Sequence, residues 1–141
     1  MTYKELLKKH EEETHQMVNN GKIMYFIGDT ETIKRKMEDK GVAPNQLINI
    51  GYGAYVKKED YDEVNAMFDR HAKEQKQYAL TNTYEVVTHY LWDYEIEISV
   101  SYTYADVIYK LVGLTKDEAQ ERAKEIDKAF KDYKREFYEI N

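Results

Sequence analysis

The spacing of apolar positions changes several times along the chain, and each change marks a predicted element. Over residues 3–18, Leu6, Leu7, His10, Thr14, Met17 and Val18 fall on one stripe at helical spacing, with lysines and glutamates elsewhere. Thr2 stands before the stripe and Glu5 three residues later, the spacing of a capping box, and Asn19-Asn20-Gly21 ends the helix. Residues 23–27 are a continuous apolar run closed by Gly28-Asp29, the pattern of a short buried strand. Asp29 or Thr30 then caps a short helix that runs to about residue 39 and stops at Gly41. A turn follows at residues 42–45. Residues 47–50 and 54–56 read as two further strands around Gly51-Tyr52-Gly53, where the glycines admit a bulge or tight turn. Together the three runs predict a small antiparallel sheet.

The second half reads mainly as helix. Tyr61, Val64, Met67, Phe68, His71 and Tyr78 set a helix over about 58–80, and Val86, Val87, Tyr90, Leu91 and Tyr94 set another from about residue 83. The pattern then changes to strict alternation, with Trp92, Tyr94, Ile96, Ile98, Val100 and Tyr102 on one side. That is a strand period, and the two patterns overlap, so the change is placed near residues 94–96. Tyr104, Val107, Ile108 and Leu111 form a short helix stopped by Gly113. Thr115 and Glu118 make a capping box for a last long helix, whose seam is Ala119, Ala123, Ile126, Phe130, Tyr133, Phe137 and Ile140. Its alternating steps of four and three are those of a helix lying along another helix. Packing within the chain is the preferred reading, and a homodimer through Ile126, Phe130, Tyr133 and Phe137 is the alternative. The fold class is α+β: one mostly helical domain over residues 1–141, a three-stranded antiparallel sheet, and a long C-terminal helix.

Composition narrows the functional classes. The 141 residues hold 42% hydrophobic and 34% charged residues, one proline and no cysteine, which suits one compact core and excludes disulfide or thiolate chemistry. No apolar run approaches the roughly 18 residues of a membrane helix, and the N-terminus opens on charge with no signal-peptide core. A cytoplasmic protein without a membrane partner is therefore expected. A net charge of −6 argues against direct nucleic-acid binding, because phosphate contacts need a basic face. The charge is unevenly spread. Residues 77–109 contain no lysine or arginine, five acids, seven of the fourteen tyrosines and the only tryptophan, and supply −5 of the total. An acidic, tyrosine-rich surface suits a basic partner, so Tyr90, Trp92, Asp93, Tyr94, Glu95 and Glu97 are the candidate partner-binding residues.

Other candidate chemistry is thinner. His10 and His15 are five apart and cannot share a helix face, and no matched set of carboxylates accompanies the remaining histidines, so neither metal nor cofactor is expected. Gly51-Tyr52-Gly53 matches neither dinucleotide nor P-loop spacing, and a structural turn is the simpler reading. A small-ligand (nucleotide or metabolite) binding or enzymatic domain, with a pocket lined by Gly51, Tyr52, Gly53, Asp69 and His71 between the sheet and the 58–80 helix, is the second functional expectation. A structural protein that self-associates through the C-terminal heptad seam is the third. His71 lies on an apolar stripe, where a core histidine is commoner than a catalytic one. No catalytic residue is assigned.

The order of segments carries a resemblance. Thr2-Tyr3-Lys4-Glu5-Leu6, Ile50-Gly51-Tyr52-Gly53-Ala54-Tyr55-Val56, Met67-Phe68-Asp69-Arg70-His71 and Val112-Gly113-Leu114-Thr115 together resemble a family of small uncharacterised proteins. Its members occur in bacteriophage genomes, prophages and their hosts. The similarity covers most of residues 2–118, and the last helix looks like an addition. The family's turn at 51–54 is typically richer in glycine. The resemblance implies no established activity, cofactor or catalytic residue. It implies a phage or mobile-element setting, and so a non-enzymatic accessory protein that binds, and thereby inhibits, a host protein with a basic surface.

Overall fold

The computed structural model describes residues 1–96 and 102–140. The chain is mostly helical and belongs to the α+β class. Its elements in order are α1 (Tyr3–Asn19), β1 (Ile23–Tyr25), α2 (Thr30–Asp39), β2 (Leu47–Gly51), β3 (Ala54–Lys57), α3 (Tyr61–Thr81), α4 (Thr83–Asp93), α5 (Tyr104–Asp106), α6 (Lys116–Glu121) and α7 (Ala123–Ile140). A π-helical turn, Val107–Leu111, continues α5, and Gly113 with φ +79° ends it. The contacts divide the chain into two compact units, Leu7–His71 and a second made of Met1–Leu6 with Ala72–Asn141, so α1 and α3 each contribute to both.

In the Leu7–His71 unit the sheet has strand order β1-β3-β2 and is antiparallel throughout. Strand alternation gives it two apolar faces. Ile23, Ala54 and Val56 meet Val64 and Met67 of α3, with Met17 and Val18 of α1 packed against them. The opposite side carries Phe26 and Leu47 against Met37 of α2 and Val42. Asp29 caps α2 by accepting the Thr32 N–H at 2.8 Å, as its position in the sequence predicts. The β2–β3 register slips between Asn49 and Gly51, the bulge foreseen from the glycines. Glycine is favoured at position 53 for two reasons. Its φ is +78°, and an added Cβ would meet Ile27 Cγ1 at 2.9 Å.

The other unit buries Val86, Val87 and Leu91 of α4 and Ile126, Ala129, Tyr133 and Phe137 of α7, and α4 and α7 pack on each other. Trp92 meets the Tyr133 ring edge-on with centroids 4.7 Å apart, and the Tyr84 hydroxyl donates to Asp132 at 2.7 Å. The seam read from heptad spacing is thus used inside the chain, with Ala129 joining it and Ala123 exposed. The capping box of Thr115 and Glu118 forms in both directions, at 2.8 and 3.1 Å. The single long helix expected from it is broken at Arg122. That residue leaves helical geometry (φ −112°, ψ 20°), and its guanidinium donates to the carbonyls of Leu80 (2.9 Å) and Glu118 (3.1 Å). An arginine that satisfies two orphan carbonyls makes a stable helix break without glycine or proline.

The predicted strand does not begin at Trp92. Trp92 and Asp93 are the last two residues of α4. The Ile96 N–H donates to the Leu91 carbonyl (3.2 Å) and the Glu95 N–H to the Trp92 carbonyl (3.2 Å), the paired bonds of a Schellman motif. Buried Ile96 and Leu91 supply its usual apolar partners. Glu95 occupies the left-handed position where glycine is usual, with φ +47°. The switch read at residues 94–96 therefore coincides with the end of α4, while the rest of the expected strand, residues 97–101, lies outside the described residues. Among the described residues, no helix is long and apolar enough to cross a membrane.

Candidate functional site

Two surfaces hold the sequence-predicted residues, one in each unit. In the unit of Met1–Leu6 and Ala72–Asn141, a groove of about 540 Å³ is lined by Thr2, Tyr3, Lys4, Glu85, Thr88, His89, Trp92 and Asp93. The helical period of α4 explains the grouping, since residues 85, 88, 89 and 92 recur on one face. Glu85 is fixed in place. Its carboxylate accepts the Tyr3 N–H at 2.6 Å and the Tyr78 hydroxyl at 2.5 Å, which pushes the Tyr78 phenol up to about 12. The Tyr3 and Tyr90 hydroxyls lie 2.6 Å apart, and burial drives both phenols above their ordinary range. Burial also lowers the His89 pKa, against the opposing pull of Asp93, so this imidazole is neutral at pH 7. The groove thus sets two carboxylates against one ammonium, Lys4.

The six candidate partner-binding residues separate by orientation. Tyr90 is half-buried, with its hydroxyl engaged by Tyr3. Tyr94 packs against Tyr90 and Tyr102, and Trp92 sits partly on Tyr133 with its remainder lining the groove. Asp93 and Glu95 are exposed, and no ion pair among the described residues holds either of them. Glu97 lies outside the described residues. Sequence reasoning missed Tyr3, Glu85 and His89. Glu85 and His89 stand four apart, with Trp92 and Asp93 a further turn along α4, and that spacing was the available signal.

The second surface, in the Leu7–His71 unit, is a cleft of about 560 Å³ between the sheet and the first turns of α3. Its floor is aliphatic, from Ile23, Ile48, Ile50 and Val64. Gly51 and Tyr52 line it as expected, whereas Gly53, Asp69 and His71 are not among its lining residues. Gly53 faces a shallower depression with Phe26 and Ile27. Asp69 is exposed on α3. His71 is buried and stacks on His10, ring centroids 4.0 Å apart, with Nε2 3.5 Å from Glu13, which also pairs with Arg70. It is a core histidine. Among the described residues no group of three or more His, Cys, Asp or Glu side chains has metal-binding geometry.

These features define a small, mostly helical α+β protein with open surface grooves. The chain belongs to a family of unknown function, DUF7659, whose model matches residues 2–136 and so includes α7 as far as Glu136. Searches of curated proteins and of solved structures returned no match.

Proposed function

We propose that this is a non-enzymatic binding protein that docks a basic partner on the acidic groove beside α4. The observation that supports the reading is the juxtaposition of Glu85 and Asp93 with the rings of Tyr3, His89 and Trp92 around one groove. Its α4 wall lies in a stretch, residues 77–109, without lysine or arginine, and Lys4 on the facing segment is its one cationic lining residue. A lysine or arginine side chain entering it meets carboxylates for its charge and an indole face for its apolar stem. The carboxylate of Glu85 is already oriented by two donors, so little ordering is needed on binding.

Glu95 adds a second argument. A non-glycine residue in the left-handed region costs about 1 kcal/mol, and such outliers cluster at functional sites. Glu95 is exposed, follows the groove-lining Asp93 by two residues, and no ion pair among the described residues holds it. The resemblance to phage and prophage proteins supports a host protein as the partner, inside a bacterial cell, with occupation of a basic nucleic-acid-handling surface as the mode of inhibition.

The test is a pull-down from bacterial lysate with the tagged protein and its Asp93→Lys/Glu95→Lys variant, at low and high salt. A basic protein retained by the wild type at low salt, and lost both at high salt and in the variant, is the expected result. Equal retention by both forms overturns the proposal.

A further inference from the structure

The cleft between the sheet and α3 has a character unlike the rest of this highly charged chain. Not one of its lining residues is charged, although 34% of the sequence is. Its volume of about 560 Å³ falls within the range of small-molecule sites. Three rings stand at its mouth with much of their surface in water: Tyr25 (53% exposed), Tyr52 (fully exposed) and Phe68 (38% exposed).

Tyr52 is the sharpest of these features. It is the first central residue of the β2–β3 hairpin, and its φ is +54°. Two-residue hairpin turns with positive φ at both centres favour Asn-Gly or Asp-Gly, because a bulky side chain strains there. Tyr52 makes no contact that would offset that strain, since its ring is wholly exposed. A strained residue without a structural return is a marker of function.

The polar groups narrow the ligand. Asn49 accepts the Gly51 N–H through Oδ1 at 2.8 Å, which turns the rest of its amide into a fixed donor. Among the described residues, no hydrogen bond within the chain engages the side chain of Asn65, which also lines the cleft. Two amides can donate to and accept from the edge of a planar ring whose faces stack on tyrosine or phenylalanine. A phosphate or carboxylate would enter this cleft without a cationic partner, at a large desolvation cost.

We infer that the cleft binds an uncharged planar heteroaromatic of the nucleobase or unphosphorylated nucleoside class, with Tyr52 and Phe68 as stacking platforms and Asn49 and Asn65 reading the ring edge. This site is distinct from the acidic groove and takes a ligand of different chemistry.

The experiment is a titration of the full-length, ¹⁵N-labelled protein with adenosine, guanosine, cytidine and thymidine. Adenosine monophosphate and N-acetyl-tryptophan amide serve as comparison ligands. At least one nucleoside is expected to shift the side-chain amide signals of Asn49 and Asn65. Its affinity should fall about tenfold in Tyr52→Asn and in Asn65→Ala, the size of one lost stacking or edge contact. The monophosphate should bind no better than its nucleoside. Both substituted side chains are exposed, so the variants retain the fold, and unchanged backbone signals elsewhere verify that. Absence of shifts with every nucleoside overturns the inference. So does full affinity in both variants. Binding of the tryptophan amide alone overturns it in favour of an apolar peptide side chain.

Discussion

Replacing Tyr52 by asparagine should make the protein more stable. The residue sits at φ +54° at the tip of the β2–β3 hairpin, and its side chain is fully exposed. A bulky side chain in the left-handed region costs about 1–2 kcal/mol, whereas asparagine tolerates that region and forms the favoured Asn-Gly hairpin pair with Gly53. No buried area is lost with the ring, so the net gain should be about 0.5–1 kcal/mol. For 141 residues the unfolding entropy is about 0.3 kcal/mol/K, so Tm should rise by about 2–3 °C. Thermal unfolding followed by circular dichroism reads this directly, and a urea titration with unchanged slope shows that the unfolded state is the same. Tyr52→Gly serves as a control. It removes the same strain but adds unfolded-state entropy worth about 0.5–1 kcal/mol, so it should gain less than asparagine. A lower Tm in Tyr52→Asn would mean instead that the ring makes a stabilising contact and that its backbone is not strained.

Glu95→Gly should raise stability by about 0.5–1 kcal/mol, since glycine is the preferred residue at that point of a Schellman motif, while weakening salt-sensitive partner binding. Removing Tyr133, buried beneath Trp92, should destabilise by about 3–5 kcal/mol as Tyr133→Ala, read by urea unfolding. Glu118 is held down to about 2, first by the Lys76 ammonium at 2.7 Å and then by the Thr115 N–H. A carboxylate depressed in the folded state contributes stability above its unfolded pKa, near 4.5, that is lost as pH falls toward 2. Tm measured between those limits should therefore fall less steeply in Glu118→Gln than in the wild type. Tyr3, Tyr78, Tyr84 and Tyr90 all have raised pKa values, Tyr78 and Tyr84 chiefly through hydrogen bonds to carboxylates. An ultraviolet titration should accordingly show these four ionising above the ordinary tyrosine range.

Much of the fold was legible because local signals agreed with one another. The Thr115–Glu118 box, the Asp29 cap, the glycine stops and the apolar runs of the sheet each stood in sequence where they act in the structure. The failures share a cause. Arg122 breaks a helix through its side chain, and Glu95 ends one in a position written for glycine. Neither residue type carries a break signal by itself. The alternation from Trp92 to Ile96 likewise mimics a strand because α4 ends within it, and its last turn places Trp92 partly inward and Asp93 outward. Composition located the acidic, aromatic stretch, but not which members face water. That depended on Tyr3 reaching Tyr90 and Glu85 from more than 80 residues away, a pairing that no local spacing encodes.

On the proposed function, the groove of Glu85, His89, Trp92 and Asp93 receives a basic side chain. Titrating the ¹⁵N-labelled protein with a short arginine-rich peptide at low salt tests it most directly. Saturable shifts are expected, confined to the Trp92 indole N–H and the backbone of residues 85, 89, 93 and 95, and abolished by high salt and by Asp93→Lys/Glu95→Lys. Shifts spread evenly over the acidic residues of the whole chain, or none in the groove, would contradict it.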